Sequence, residues 1–341
     1  MSKTFLEQRR AVFDSYRPDL ARIIGDGMGQ GGTGGLARDA GEAMTFLVSQ
    51  LAYTESQVFE KMRLPMQYKQ FIPISTEAGE YADSIRYEIY DKAGRGRRTS
   101  GKGRSINLVD VAYADKSWPV VLGDIGYDYS QEELRRSAFM RRPLSEKRLE
   151  AAIEGYERHM NDVGLYGEAI SGITGLFNNA VVPTGNAPTG NWTGATTPVQ
   201  MLADLNAGIY QVWAATAFND MPTDILLPPA SMNLITTKAR SDTQSDTTVL
   251  EFLKKNNIAK QQRNVDIKFD VGFGLDTAGA GGTKRALFYV KNPQRLIMHI
   301  PMPLRFLAPQ FQGLAVEIPG EYKYSGVEYR YPKSAYYMDG L

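Results

Sequence analysis

The sequence predicts an α+β protein with a helical middle set between strand-rich stretches. Alternating apolar and polar residues at 84–90, and a nearly continuous series of strand signals from 264 onward, supply the β part. Apolar residues at steps of three and four between 130 and 257 supply the helices. No repeat of solenoid or propeller type runs through the 341 residues.

Taken in order, residues 1–24 read as a short helix, with Phe5, Leu6, Val12 and Phe13 apolar. Residues 25–35 are mostly glycine, hold regular structure only at high entropic cost, and read as a flexible connector. A second helix is expected over 39–62, striped by Met44, Leu47, Leu51 and Val58. A short strand is expected at 70–75. The segments 84–90 and 105–113 then form two strands around a polar, glycine-rich tip. An isolated hairpin is marginally stable in water, so this one needs a neighbour to rest on.

Ser130 and Glu133 have the spacing of a capping box, which starts a helix. Pro143 interrupts it, and Ser145 begins a longer helix over 145–167. Leu149, Ile153, Tyr156, Met160 and Val163 are expected to form its buried face, with Glu146, Arg148, Glu150, Glu154, Glu157 and Arg158 around them. A Gly/Pro/Asn/Thr-rich loop spans 179–197. A helix over 199–216 carries Leu202, Leu205, Ile209 and Trp213 on one side. A strand at 224–227 stops at Pro228-Pro229, and helices follow at 230–239 and 247–257. Strands are expected at 264–271, 285–291, 294–300, 303–308, 313–324 and 325–331.

Composition excludes several function classes. Lys and Arg number 39 against 38 Asp and Glu, a net charge of +1, where a dedicated nucleic-acid-binding domain is more basic. No cysteine is present, which removes disulfides, thiolate chemistry and cysteine zinc sites and suits a reducing cytosol. No run of about 18 apolar residues spans a membrane, and the first residues lack the pattern of a secretory signal. The 33 glycines suggest long loops, and the 19 tyrosines suit surfaces buried on association.

The motifs resolve mostly to plain readings. Gly27, Gly29 and Gly32 fit GxGxxG, but a helix precedes them instead of the strand that dinucleotide binding requires. Residues 96–103 nearly fit a P-loop, yet Gly103 stands where magnesium needs Ser or Thr, and a strand follows instead of a helix. The same tip carries Lys92, Arg95, Arg97, Arg98, Lys102 and Arg104, with no acidic residue among 92–104. Such a cluster favours contact with an acidic patch on a neighbour or with phosphate over a merely solvated loop. Arg135, Arg136, Arg141 and Arg142 form a second basic cluster, balanced between contact and a solvated helix face. His159 and His299 stand in no metal or triad motif and read as structural. No pair of carboxylates stands out, so a carboxylate hydrolase stays open on sequence alone. Asn191-Trp192-Thr193 matches a glycosylation acceptor but follows no secretory signal. No catalytic residue, cofactor or metal is expected.

The hairpin, the capped helix pair at 130–167 and the run from Tyr166 to Asn178 occur in an order that resembles tailed-phage major capsid proteins of the Hong Kong 97 fold. Within that run, Gly172-Ile173-Thr174-Gly175-Leu176-Phe177-Asn178 is similar to the family's GxxGLxN segment. The closing run, from Gly326-Val327-Glu328-Tyr329-Arg330-Tyr331-Pro332 through Tyr336-Tyr337-Met338-Asp339-Gly340, also resembles the family's end. The resemblance covers 70 to the C-terminus and implies an N-terminal arm over 1–68 and a first part of a peripheral domain over 69–171. That part would hold an extended E-loop at 84–118 and a spine helix at 145–167. The resemblance further implies an axial domain over 172–300, peripheral return strands at 301–328 and an axial tail at 329–341. Pentamers and hexamers of this chain would form an icosahedral virion shell around double-stranded DNA, assembled in the host bacterial cytoplasm. A portal, a possible decoration protein and non-specific DNA contact are further implied partners, with no membrane.

Two departures from the family pattern matter. The chain leaves no room for the scaffold domain that some members carry, so a separate scaffold protein is expected. Some members also link an E-loop lysine to a neighbour's asparagine. Lys92 and Lys102 are candidate donors, but 301–328 contain no Asn, so a non-covalent shell is expected. The competing readings are an encapsulin-like nanocompartment shell, a nucleotide-binding enzyme and a DNA-binding protein.

Overall fold

A computed structural model describes residues 63–95, 98, 109–140, 147–241 and 247–341. The expected helices at 1–24 and 39–62, the glycine connector, both phosphate-binding near-matches except Arg98, and the start of the second hairpin strand at 105–108 lie outside these residues. The chain divides into a unit of residues 1–63 and a unit of 64–341, and the elements below belong to the second.

In chain order these are α1 (Tyr68–Phe71), β1 (Ile74–Ser75), β2 (Ser84–Ala93), β3 (Asp110–Pro119), β4 (Val121–Ser130), α2 (Gln131–Met140) and α3 (Lys147–Tyr166). There follow β5 (Gly167–Glu168), β6 (Ile173–Thr174), β7 (Thr184–Asn186), α4 (Pro198–Ala215), β8 (Asp224–Leu227) and α5 (Pro229–Thr237). Next come α6 (Val249–Lys255), α7 (Ile258–Arg263), β9 (Lys268–Val271), β10 (Arg285–Tyr289) and β11 (Leu296–His299). The chain closes with β12 (Met302–Phe306), β13 (Gln310–Gln312), β14 (Ala315–Tyr324), β15 (Val327–Tyr329) and β16 (Ala335–Asp339).

A five-stranded sheet in the order β7-β16-β10-β8-β9 is buried on both faces. On β10, Leu287 and Tyr289 join one core while Ala286 and Phe288 join the other. Successive strand residues point to opposite faces, so a strand between two cores is apolar throughout, as Ala286–Tyr289 is. One core lies under α3 and the sheet β1-β11-β15; the other lies under α4 to α7. Helix α4 starts where Thr197 and Gln200 cap each other reciprocally, and Pro198 follows at a position where its missing N–H costs nothing. Its buried residues are Met201, Asp204, Leu205, Gly208, Ile209 and Val212; Leu202 and Trp213 lie at the margin.

Long strand β14 organises the third sheet. It pairs with β12 and β13 on one side and, over ten consecutive residues, with β4 on the other. Tyr322 and Tyr324 on its inner face pack against His159 of α3, and the Tyr322 ring lies edge-on to Tyr156 at 4.8 Å. Ser130 and Glu133 cap the head of α2: Ser130 Oγ accepts from the Glu132 N–H at 3.3 Å, one residue earlier than in a full capping box, and the Glu133 carboxylate accepts from the Ser130 N–H at 3.1 Å.

Several expectations change. The apolar stripe of α3 is Ala152, Tyr156, Met160 and Val163. Ile153 is 43% exposed and Leu149 only half-buried. A helix turns about 100° per residue, so the shift from 153 to 152 rotates the N-terminal half of the buried face toward β4. Gly155 shows why the helix sits that way, because a Cβ there would lie 2.7 Å from Ile125 Cδ1. The expected helix at 247–257 forms as α6 over Val249–Lys255, and a second helix not anticipated, α7, follows it because the Asn257 side chain caps a new start, accepting from the Lys260 N–H at 2.8 Å. The expected strand at 70–75 is a helical turn and a two-residue strand. Strands β4 and β16 were not anticipated, although β4 alternates cleanly. Glycines inside a strand weaken it when they have nothing to pack against, and β4 holds two, Gly123 and Gly126. In the fold they admit the Tyr322 ring and the Ile318 backbone, where a Cβ would come within 2.5 and 3.0 Å.

The run from Gly172 to Asn178 has a concrete task. Asn178 Oδ1 accepts from the Gly175 N–H at 2.9 Å, and its Nδ2 donates to the Tyr166 carbonyl at the end of α3. Gly175 passes so close that a Cβ would lie 2.5 Å from the Leu165 carbonyl. That approach turns the chain from the long helix into the core.

Candidate assembly surface

Strands β2 and β3 pair in register from Ser84↔Pro119 to Ala93↔Asp110. The second strand therefore runs six residues further than the expected end at 113. Among the residues of these strands whose side chains are described, none is buried. Tyr90 and Tyr113 face each other directly and are 60% and 71% exposed. An aromatic cross-strand pair stabilises a hairpin modestly, but here it also leaves two large rings in water.

The hairpin touches the body at its root. The Tyr87 ring lies 5.6 Å from the Arg330 guanidinium. Burial, then the Glu328 carboxylate, push the Tyr87 phenol up. Glu328 is fully buried, 3.1 Å from His299 Nε2 and 3.5 Å from Arg330 Nε. His299 is thus half of a buried pair. His159 instead meets the Tyr322 hydroxyl at 2.7 Å through Nδ1.

Of the basic tip, Arg95 and Arg98 are exposed, Lys92 lies on β2, and Arg97, Lys102 and Arg104 fall outside the described residues. On α2, Arg136 pairs with Glu132 one turn away at 2.7 Å and Arg135 is exposed; Arg141 and Arg142 are not described. Among the described residues, no group of three or more His, Asp and Glu could hold a metal, and no helix is long and apolar enough to cross a membrane.

The β4–β14 register creates a feature that sequence reading missed. Asp124 stands opposite Glu321 and Asp128 opposite Glu317, all on the outer face of the sheet. Like charges directly opposite destabilise a sheet. Arg305 offsets part of this, pairing with Glu321 at 2.6 Å and with Glu80. Among the described residues, no ion pair forms at Asp124, Asp128 or Glu317. Arg148 bonds to the main-chain carbonyl of Asp128 at 2.5 Å, but its guanidinium is committed to Glu133 at 2.9 Å. Gly126 and Pro319 lie between the two acidic rows and floor a trough of about 300 Å³. Only the register reveals these pairs, because 189 to 197 residues separate the partners in sequence.

A body of mixed helices and sheets, carrying a long hairpin none of whose described side chains is buried, defines a subunit of the Hong Kong 97 capsid type. The chain belongs to the major capsid protein family, whose family model matches residues 94–341. Its fold is shared with the capsid of the Myoviridae phage XM1, at 19% identity and a TM-score of 0.73, over 86% of this chain and 98% of that one. It is shared also with the capsid of an empty GTA particle (11%, TM-score 0.58, 84% and 94%) and with Microbacterium phage Oxtober96 (11%, 0.55, 86% and 98%). No curated protein matches the chain. Membership in the family implies self-association into a shell.

Proposed function

We propose that this chain forms pentamers and hexamers of the icosahedral head of a tailed phage, closing around double-stranded DNA in the host cytoplasm. The hairpin carries this reading. Among the described side chains of its two ten-residue strands none is fully buried within one subunit, and Tyr90 and Tyr113 stand 60% and 71% exposed, so these strands gain most of their burial against a second. In this reading residues 84–118 are the E-loop, α3 the spine helix, and residues 1–68 an arm to another neighbour. Residues 172–300 and 329–341 supply the axial domain and 301–328 the peripheral return strands. A separate scaffold and a portal complete the assembly, and the subunit acts without catalysis.

Electron microscopy of the overexpressed protein tests this. Closed shells, or rings of five and six, are expected. A stable monomer at high concentration, or particles that enclose an enzyme cargo in place of DNA, would overturn the reading. The shell is held without covalent links, so peptide mapping of particles should find no lysine–asparagine isopeptide between subunits.

A further inference from the structure

We infer that His299, Glu328 and Arg330 form a proton-operated latch at the root of the hairpin: a proton taken up by His299 frees Arg330 from buried Glu328 to grip Glu88 on β2. The device lies within one subunit and goes beyond the shell reading. His299 and Glu328 project from the face of the β1-β11-β15 sheet opposite to Leu296, Met298, Val327 and Tyr329, which belong to the core. They are diagonal neighbours across β11 and β15, since Glu328 stands opposite Ile297. Both side chains are buried, at 7% and 0% exposure, with His299 Nε2 3.1 Å from the carboxylate. Among the described residues, the cationic partners of Glu328 are His299 and Arg330.

Three buried polar atoms of this cluster have no hydrogen-bond partner among the described residues: His299 Nδ1, Glu328 Oε1 and Arg330 Nε. Arg330 Nε lies 3.5 Å from Glu328 Oε1, near enough for charge attraction but too far for a good hydrogen bond. One carboxylate thus faces two groups able to carry positive charge. While His299 is neutral, Arg330 balances Glu328. Imidazole is the side chain that ordinarily gains its charge between about pH 8 and about pH 5. Once His299 is charged, the cluster holds one cation too many, and an uncompensated buried charge is costly. His299 is fixed in a strand, whereas the Arg330 side chain is 28% exposed. Arg330 opens on a groove of about 400 Å³ between hairpin and body, lined also by Tyr87, Glu88, Arg295 and Tyr331. Glu88 is exposed, stands directly opposite Asp115, and has no ion-pair partner among the described residues. Opposed like charges favour an incoming guanidinium, whose planar fork can bridge carboxylates. The remaining neighbours compete little. Arg295 is held by Asp220 at 2.7 Å and stacks on Tyr331, Arg86 two residues before Glu88 makes no ion pair with it, and β1 sets the uncharged Ser75 beside His299.

Because the chain has no cysteine, a pair of spin labels can be placed freely. Val109→Cys at the hairpin and Ile170→Cys on the body stand at sites 63% and 98% exposed. Labelled chain diluted into unlabelled chain reports distances within one subunit by pulsed electron paramagnetic resonance. Acidification from about pH 7.5 to about pH 5.5 is expected to narrow the distance distribution. His299→Gln keeps a donor for Glu328 but takes up no charge, and Glu88→Gln removes the receiving carboxylate; each should stay broad at both pH values. Glu328→Gln releases Arg330 without a proton and should be narrow at both. Glu88 is exposed, so its variant tests the latch even where the changes at buried positions unfold the chain. An unchanged width in the natural sequence overturns the latch. So does acid narrowing that persists in the Glu88→Gln or His299→Gln chain, or a folded Glu328→Gln chain that stays broad. Each of these results leaves the shell reading untouched.

Discussion

Arg285 and Asp339 stand directly opposite each other on the antiparallel strands β10 and β16, and the guanidinium grips the carboxylate at 2.6 and 2.9 Å. Both are buried. Arg285 also donates to the Phe177 carbonyl at 2.7 Å and lies 4.5 Å from the Tyr337 ring centroid, while Asp339 accepts from the Ala280 N–H at 3.0 Å. The pair fastens the last strand into the centre of the larger sheet. Removing one partner strands a buried charge, so Asp339→Ala is expected to cost about 3–5 kcal/mol in denaturant unfolding. Replacing both, as Arg285→Met with Asp339→Leu, should recover most of that. A single-variant loss under about 1 kcal/mol would show that solvent already compensates the pair.

The rotated face of α3 gives a sharp contrast. Met160 is fully buried, and Met160→Ala is expected to destabilise the isolated subunit by about 2–5 kcal/mol. Ile153 is 43% exposed, and Ile153→Ser should change subunit stability by less than about 0.5 kcal/mol. Equal losses in the two thermal melts would restore the helical face expected from sequence.

The tyrosines on α3 and β14 set an alkaline limit. Burial, then Glu157, push the Tyr156 phenol from 10.0 up to about 12. Burial, then Asp124, do the same for Tyr322. A group whose folded pKa lies above its unfolded value stabilises the fold while protonated. That contribution is complete below pH 10 and is lost as pH rises from 10 toward about 12. Phenolate absorbance should therefore lag behind that of free tyrosine and then jump with alkaline unfolding. Tyr156→Phe should flatten the stability loss in this window. An unaltered pH profile in that variant would remove Tyr156 from the account.

The hairpin root should behave as a joint. Tyr87→Ala removes the ring that lies against Arg330 at the root of the hairpin. Faster hydrogen exchange is expected at 84–90 and 113–119, with exchange in the five-stranded sheet unchanged. Uniformly faster exchange would mean that the contact supports the whole body and not the hairpin.

Where local chemistry decides an element, the sequence was readable. Ser130 and Glu133 cap α2 as their spacing implies, the strand at 224–227 lies where it was expected, and the alternation at 84–90 is the first strand of the hairpin. The basic tip was legible as a cluster because charge is written in the residues themselves. The acidic outer face of the β4–β14 sheet was not, because Asp124 and Glu321 become neighbours only through strand register.

By itself, then, the sequence determined the α+β class, the helix starts and the long polar-tipped hairpin, since caps, periodicity and composition act within a few residues of each other. The tertiary structure alone decided which helical face is buried, why Gly123 and Gly126 belong in a strand, and that Arg285 meets Asp339. It alone also set like charges across a sheet. Each of these depends on contacts between segments far apart in the chain, and their energy exists only once the two surfaces have met.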